Sequence, residues 1–200
     1  MKRLIILIFA IITSFSCFSQ NATSVLDKTA AEFKKCPSVT VAYTVAIQGE
    51  EENGTITLQG KKFKNEMSNT STWFDGKTMW SLVKENEEVN VTNPNANQLA
   101  KINPYAFLDI YKKGYTVEFG KNDKSLYEVV LTSTNAKSSI QKAIIRINRT
   151  NYQPLYIMMG GAKADMEIKI NSYKKGKKLA DTFFQFNKKK FPNVDVIDLR

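Results

Sequence analysis

Apolar residues recur at every second position through most of this chain, a period that strands satisfy and helices do not. In "VTVAYTVAI", Val39, Val41, Tyr43, Val45 and Ile47 stand on one side, and Thr40, Ala42, Thr44 and Ala46 on the other. The pattern returns in Ile56 and Leu58; Tyr127, Val129 and Leu131; Ala143, Ile145 and Ile147; Leu155, Ile157 and Met159; Ala164, Met166, Ile168 and Ile170; and Phe184 and Phe186. Turn-forming runs separate these segments, among them Asn53-Gly54, Lys121-Asn122-Asp123, residues 148–153, Gly160-Gly161 and residues 174–178. Short strands joined in series by tight turns build antiparallel meanders. The expected fold is all-β, a sheet that either closes as a barrel or curves over something.

Two segments break the alternation. Residues 22–35 have helical spacing, with Leu26, Ala30 and Phe33 at i, i+4 and i+7, Thr23 or Ser24 as N-cap candidates, and Pro37 as the stop. Residues 103–111 offer Asn103 as a cap, Pro104 at the first helical position, and Phe107, Leu108 and Tyr111 on one face.

The stretch "STWFDGKTMWSLVKENEEVNV" contains both tryptophans, Trp73 and Trp80, on either side of Asp75-Gly76. Asp-Gly between apolar runs predicts a two-residue hairpin loop, because both central residues of a type I′ turn need positive φ. That register opposes Trp73 to Thr78 and Ser71 to Trp80, leaving the tryptophans as diagonal neighbours on one face. A second turn near Glu85-Asn86 pairs Leu82 with Val89 and Trp80 with Val91. Trp73, Trp80, Leu82, Val89 and Val91 therefore share a face. That face is either ordinary core or the wall of a hollow, and two short helices are little cover for so many strands.

The opening "MKRLIILIFAIITSFSCFSQ" has a charged start, an apolar run too short to span a bilayer, and small residues before Gln20. It reads as a signal peptide over residues 1–19, with Cys17 as a lipidated N-terminus the competing reading, and a single domain over 20–200. The remaining chain carries 27 basic and 19 acidic residues, net +8, and one cysteine, Cys36. An intramolecular disulfide is then excluded. The chain has no histidine, which removes Ser-His and Cys-His nucleophile systems and His-ligated zinc. The acidic residues fall in polar runs or on polar sides of strands, so no enzyme, no metal and no cofactor is expected.

Several ordered motifs resemble the periplasmic lipoprotein carrier LolA and its relatives: the N-terminal helix, "GKKFKNEM", the "WFDGKTMWSL" hairpin, "NPYAFL", and the ending "FFQFNKKKFPNVDVIDL". The hairpin and Val194 to Asp198 are the most specific in combination. The resemblance implies an unclosed antiparallel β-barrel, a curved sheet whose apolar cavity is lidded by short helices and holds the acyl chains of a lipoprotein in transit from the inner to the outer membrane. It implies a cavity walled by Val41, Tyr43, Val45, Ile56, Leu58, Phe63, Trp73, Trp80, Leu82, Val89, Val91, Met166, Ile168 and Phe184, with Phe107, Leu108 and Tyr111 as lid. Lys64 stands where the family often has an arginine tying barrel to lid, and is the candidate latch; a lysine lacks the planar five-donor fork. Asn193 replaces the usual glycine before Val194.

The implied partners are lipoproteins through their acyl chains, an inner-membrane lipoprotein-releasing transporter and an outer-membrane acceptor, the carrier itself being a periplasmic monomer. The alternative is an exported β-sheet envelope-assembly or interaction module without lipid cargo. The lysine clusters at 61–64, 174–178 and 188–190 read as solvated surface, or as contacts to anionic lipid headgroups or an acidic partner. Nucleic acid is not expected of an exported chain with no binding motif.

Overall fold

A computed structural model of the chain describes residues 21–103, 105, 111–161 and 165–200. The first helix, α1 (Ala22–Lys34), is capped by Asn21, whose side chain accepts the Ser24 N–H at 2.7 Å. The cap thus lies two or three residues before the expected Thr23 or Ser24. The predicted apolar stripe buries Leu26 and Ala30, with Val25 beside them.

Six strands follow as one meander: β1 (Ser38–Ile47), β2 (Glu50–Gln59), β3 (Lys62–Met67), β4 (Thr70–Phe74), β5 (Met79–Val83) and β6 (Glu88–Thr92). Helix α2 (Ala96–Ile102) then leads to a second meander of β7 (Tyr115–Phe119), β8 (Leu126–Ser133), β9 (Lys142–Asn148), β10 (Pro154–Gly160) and β11 (Met166–Gly176). The two meanders join side by side at β1 and β11, and a last strand, β12 (Asp195–Asp198), pairs parallel to β6. The result is one twelve-stranded sheet with β7 and β12 at its edges. It does not close: the fold is the expected unclosed, curved antiparallel barrel with short helices against it, its one parallel pair at an edge.

Directly opposed residues of an antiparallel pair share a face, so the registers sort every side chain. Val39 opposes Leu58, Leu58 opposes Phe63, Phe63 opposes Phe74 and Phe74 opposes Met79. These residues belong to the large core cluster that also takes Val25 and Leu26 of α1 and Val129, Ile145 and Ile157 of the second meander. This is the inner face. Each fully buried Leu or Val contributes about 1.5–3 kcal/mol relative to exposure, so α1 is held by its stripe rather than by helix propensity.

Four expectations change. Asn53-Gly54 is not a turn; it lies inside β2, and the chain reverses at Gln48 and Gly49, both with positive φ. The physical reason for Gly54 is the Tyr43 ring, which crosses it so closely that a Cβ there would sit 2.4 Å from Tyr43 Cζ. The Asp75 loop has four residues, because Trp73 opposes Trp80 and Phe74 opposes Met79. Asp75 Oδ1 accepts from the N–H groups of Lys77 at 3.0 Å and Thr78 at 2.8 Å, a side-chain-closed turn that competes with the tight one. Leu155 is 40% exposed, since the β9–β10 register shifts between Pro154 and Tyr156. Phe184 is not in a strand but in a 3-10 turn over Asp181–Phe184.

Candidate functional site

The inner face is filled by α1 along most of its length and left unfilled at one end. There a partly open cavity of about 900 Å³ lies between the C-terminal end of α1, the β2–β3 and β4–β5 turns, and α2. Its apolar walls are Ala30, Phe33 and Cys36 from the α1 end, Leu58 and Phe63 from β2 and β3, Phe74 from β4, and Leu99 and Tyr105 from α2 and the residues after it. Phe63 and Phe74 lie with ring centroids 5.3 Å apart, and Phe33 stacks on Tyr105 at 5.4 Å. Burial pushes the Tyr105 phenol well above its ordinary pKa, so this wall stays uncharged across the physiological range.

Helix α2 is positioned by a capping box: Asn95 accepts the Gln98 N–H at 3.0 Å, and Gln98 accepts the Asn95 N–H at 2.8 Å. Asn103 is the C-cap of this helix, and its side chain accepts the Tyr105 N–H at 2.9 Å; the helix expected after it lies outside the described residues. Beyond it, Tyr111 is buried and donates to Asp27 of α1 at 2.6 Å; this bond, with Lys112 at 3.3 Å, holds the Asp27 carboxyl below its usual pKa. Phe107 and Leu108, the other lid candidates, lie outside the described residues.

Of the fourteen expected wall residues, Leu58 and Phe63 line the cavity. Val41, Tyr43, Val45, Ile56 and Ile168 belong to the closed part of the inner cluster beneath α1, with Met166 packed at its margin. Tyr43 donates to Asn65 Oδ1 at 2.8 Å, which satisfies its buried hydroxyl.

The tryptophans are on the other side of the sheet. Lys64 opposes Trp73, Trp73 opposes Trp80, and Trp80 opposes Val91, all one residue out of step with the inner-facing Phe63, Phe74 and Met79. Trp73, Trp80, Leu82, Val89 and Val91 do share a face, as the alternation requires, but it is the outer face. The C-terminal segment runs over it. Ser38 donates to the Lys177 carbonyl at 2.7 Å, Gln59 exchanges two hydrogen bonds with Leu179, and Lys62 pairs with Asp181 at 2.7 Å. Phe186 and Phe191 then meet Trp73 edge-on at 5.6 and 5.8 Å, and Val194 closes a cluster with Trp73, Leu82 and Val89. Phe184, fully buried, belongs to this strap as well.

Lys64, the candidate latch, also stands on the outer face, while the lid residues Phe107 and Leu108 lie outside the described residues. Its ammonium pairs with Glu66 at 2.7 Å and sits 5.8 Å from the Trp73 ring centroid and 5.4 Å from that of Phe183, on the outer face beneath the strap.

The sequence reading missed Phe74, Leu99 and Cys36 as cavity residues. Phe74 was hidden by its neighbour: Trp73 drew attention to its own side of β4, and the next residue points the opposite way. The signal for Leu99 is Asn95-x-x-Gln98 ahead of a short apolar run, the mark of a helix start. Among the described residues no group of three His, Cys, Asp or Glu could hold a metal ion, and no helix is long and apolar enough to cross a membrane.

An open sheet curved around a helix, with an apolar hollow left between sheet and helices, places this chain among the unclosed β-barrels with an internal cavity. The family described as outer membrane lipoprotein carrier protein LolA matches residues 12–163, and the chain belongs to it. The match ends before β11, so the strap that covers the tryptophans lies outside it. No curated protein matches the chain. Among solved structures, an uncharacterized conserved protein from Thermus thermophilus is similar at 12% identity and a TM-score of 0.60, over 88% of this chain and 98% of that one. A DUF1329 family protein from Desulfovibrio piger gives 8% identity and a TM-score of 0.50, over 82% and 97%. A LolA superfamily protein from Nitrosomonas europaea gives 13% and 0.46, over 83% and 98%. At these identities the first two structures share the fold alone.

Proposed function

We propose that this protein is a periplasmic carrier that shelters the acyl chains of lipoproteins in the cavity at the end of its inner face and conveys them from the inner to the outer membrane. The observation that carries the reading is the cavity itself. About 900 Å³ is at the upper end of what ligand pockets occupy, and Phe33, Leu58, Phe63, Phe74, Leu99 and Tyr105 give it a mainly apolar wall. Each CH₂ moved from water into such a space gains about 0.8 kcal/mol, so alkyl chains bind without a specific polar contact. Membership of a lipoprotein-carrier family supports the same cargo. In this reading residues 1–19 are a signal peptide removed on export, a releasing transporter loads the carrier, an outer-membrane acceptor unloads it, and no chemistry is catalysed.

Depletion in the source organism followed by membrane fractionation tests the physiological role. Outer-membrane lipoproteins should accumulate at the inner membrane; unchanged sorting would overturn the transport role. Organic extraction of the natively purified protein, with uptake of a fluorescent fatty acid, tests the binding role separately. Absence of lipid and of uptake would leave the interaction-module reading in its place.

A further inference from the structure

We infer that the cavity selects amphiphiles with an anionic group beside the alkyl chain over uncharged ones, an inference that rests on the reading that alkyl chains enter it. Three separate elements each bring a lysine to the lining: Lys34 from the last turn of α1, Lys61 from the β2–β3 turn beside Gly60, and Lys77 from the β4–β5 turn beside Gly76. The two turns are neighbours, since a Cβ on Gly76 would lie 4.0 Å from Lys62 Cγ. No Asp or Glu is among the described lining residues.

Lysines close in sequence to Lys34 and Lys61 have carboxylate partners. Lys35 pairs with Glu32 and Lys62 with Asp181, and Lys64 pairs with Glu66. Lys34, Lys61 and Lys77 form no ion pair among the described residues. Each of these paired lysines is within one to three positions of Lys34 or Lys61. Three like charges beside a low-dielectric hollow focus a positive potential at its mouth, and an anion bound there relieves their mutual repulsion. An alkyl chain seated on Phe63 and Phe74 would leave its head group at this rim. A carboxylate and a phosphate offer the same chemistry to an ammonium group, three rotatable N–H donors on a flexible stem.

The test is titration calorimetry of the whole chain with palmitate, with palmitoyl lysophosphatidate, and with uncharged monopalmitin, each below its micelle-forming concentration. At about 0.02 M salt the anionic amphiphiles should bind about tenfold more tightly than monopalmitin, the size expected of three exposed charge contacts. At about 0.5 M salt the preference should shrink to about twofold or less, because these charges are exposed and screened. A preference for palmitate alone assigns a free carboxylate as the recognised group, and a preference for lysophosphatidate alone assigns a phosphate headgroup; either supports the inference. The variant carrying K34Q, K61Q and K77Q should keep its affinity for monopalmitin and lose the preference, and should fold, since all three side chains are exposed.

Equal binding of charged and uncharged amphiphiles at low salt, or a preference that survives in the triple variant, would overturn the inference and leave the carrier reading intact. If none of the amphiphiles binds, the carrier reading fails first and the inference with it.

Discussion

The two apolar clusters of this molecule draw on the same residue types and sit back to back on the same strands. On the inner face of β3 and β4, Phe63 and Phe74 form one wall of a cavity of about 900 Å³. On the outer face of those strands, Trp73 meets the stacked pair Phe186 and Phe191 edge-on and is 6% exposed. The difference lies in the cover. The outer cluster is roofed by a segment of its own chain that is bolted at Gln59 and Lys62 and ends as a strand paired with β6. Among the described residues the inner cluster is roofed by two helices, and α1 fills only part of the concavity. Aromatic residues on a curved sheet therefore do not mark its hollow; what matters is how completely something covers them.

The largest effect that separates the two faces should come from Trp73→Ala. Deleting a buried indole wedged among aromatic partners should lower unfolding free energy by about 3–5 kcal/mol in denaturant melts. Fatty-acid uptake per folded molecule should be unchanged. Loss of uptake in the folded fraction would put Trp73 back in the cavity wall.

Gly54→Ala should come next, at about 1–3 kcal/mol, because the new methyl would collide with the Tyr43 ring on the filled part of the inner face. Replacing Tyr43 by valine in the same chain should recover much of that loss; failure to recover it would mean that Gly54 is required by the backbone of β2 and not by the ring.

Leu99→Gln should reverse the pattern seen with Trp73. Leu99 is half-buried at the cavity and α2 is short, so stability should move by no more than about 0.5 kcal/mol while affinity for an alkyl chain falls severalfold. Equal losses of stability and binding would show that α2 is a structural prop and not a cavity wall.

The smallest effect is electrostatic and lies on the second meander. Glu128 on β8 accepts the Lys121 N–H at 3.0 Å and pairs with Arg146 at 2.9 Å, and the backbone contact first, then the guanidinium, hold its carboxyl below the usual range. A depressed folded-state pKa contributes stability that is complete above the unfolded value, about 4.3, and is lost as pH falls through the folded one. Glu128→Gln should therefore be less stable than the parent at pH 7 and should flatten the acid limb of the stability profile. An unchanged acid limb would remove Glu128 from the account.

Much of this was legible in the alternation, for a physical reason that also sets its limit. A period of two assigns residues to faces, and the assignment survives an even slip in register. The Asp75 loop has four residues where two were expected, yet Trp73, Trp80, Leu82, Val89 and Val91 still share one face. Parity does not say which face is concave. That depended on where residues 177–194 pass, a tertiary choice made by Phe186, Phe191 and Val194, whose own spacing is irregular. Gly54 shows a second limit. Asn-Gly is a strong local turn signal, but the space it frees was used by Tyr43, eleven positions earlier in the chain, and nothing local records that contact.

The central claim is that alkyl chains occupy the inner cavity and not the tryptophan face. Photo-crosslinking with a fatty acid carrying a diazirine near its chain end, followed by residue-level mapping of the adducts, tests it most directly. The account predicts adducts on Phe33, Leu58, Phe63, Phe74 and Leu99, competed away by unlabelled fatty acid. Competable adducts on Trp73, Trp80, Phe186 or Phe191, with none on the inner set, would contradict it.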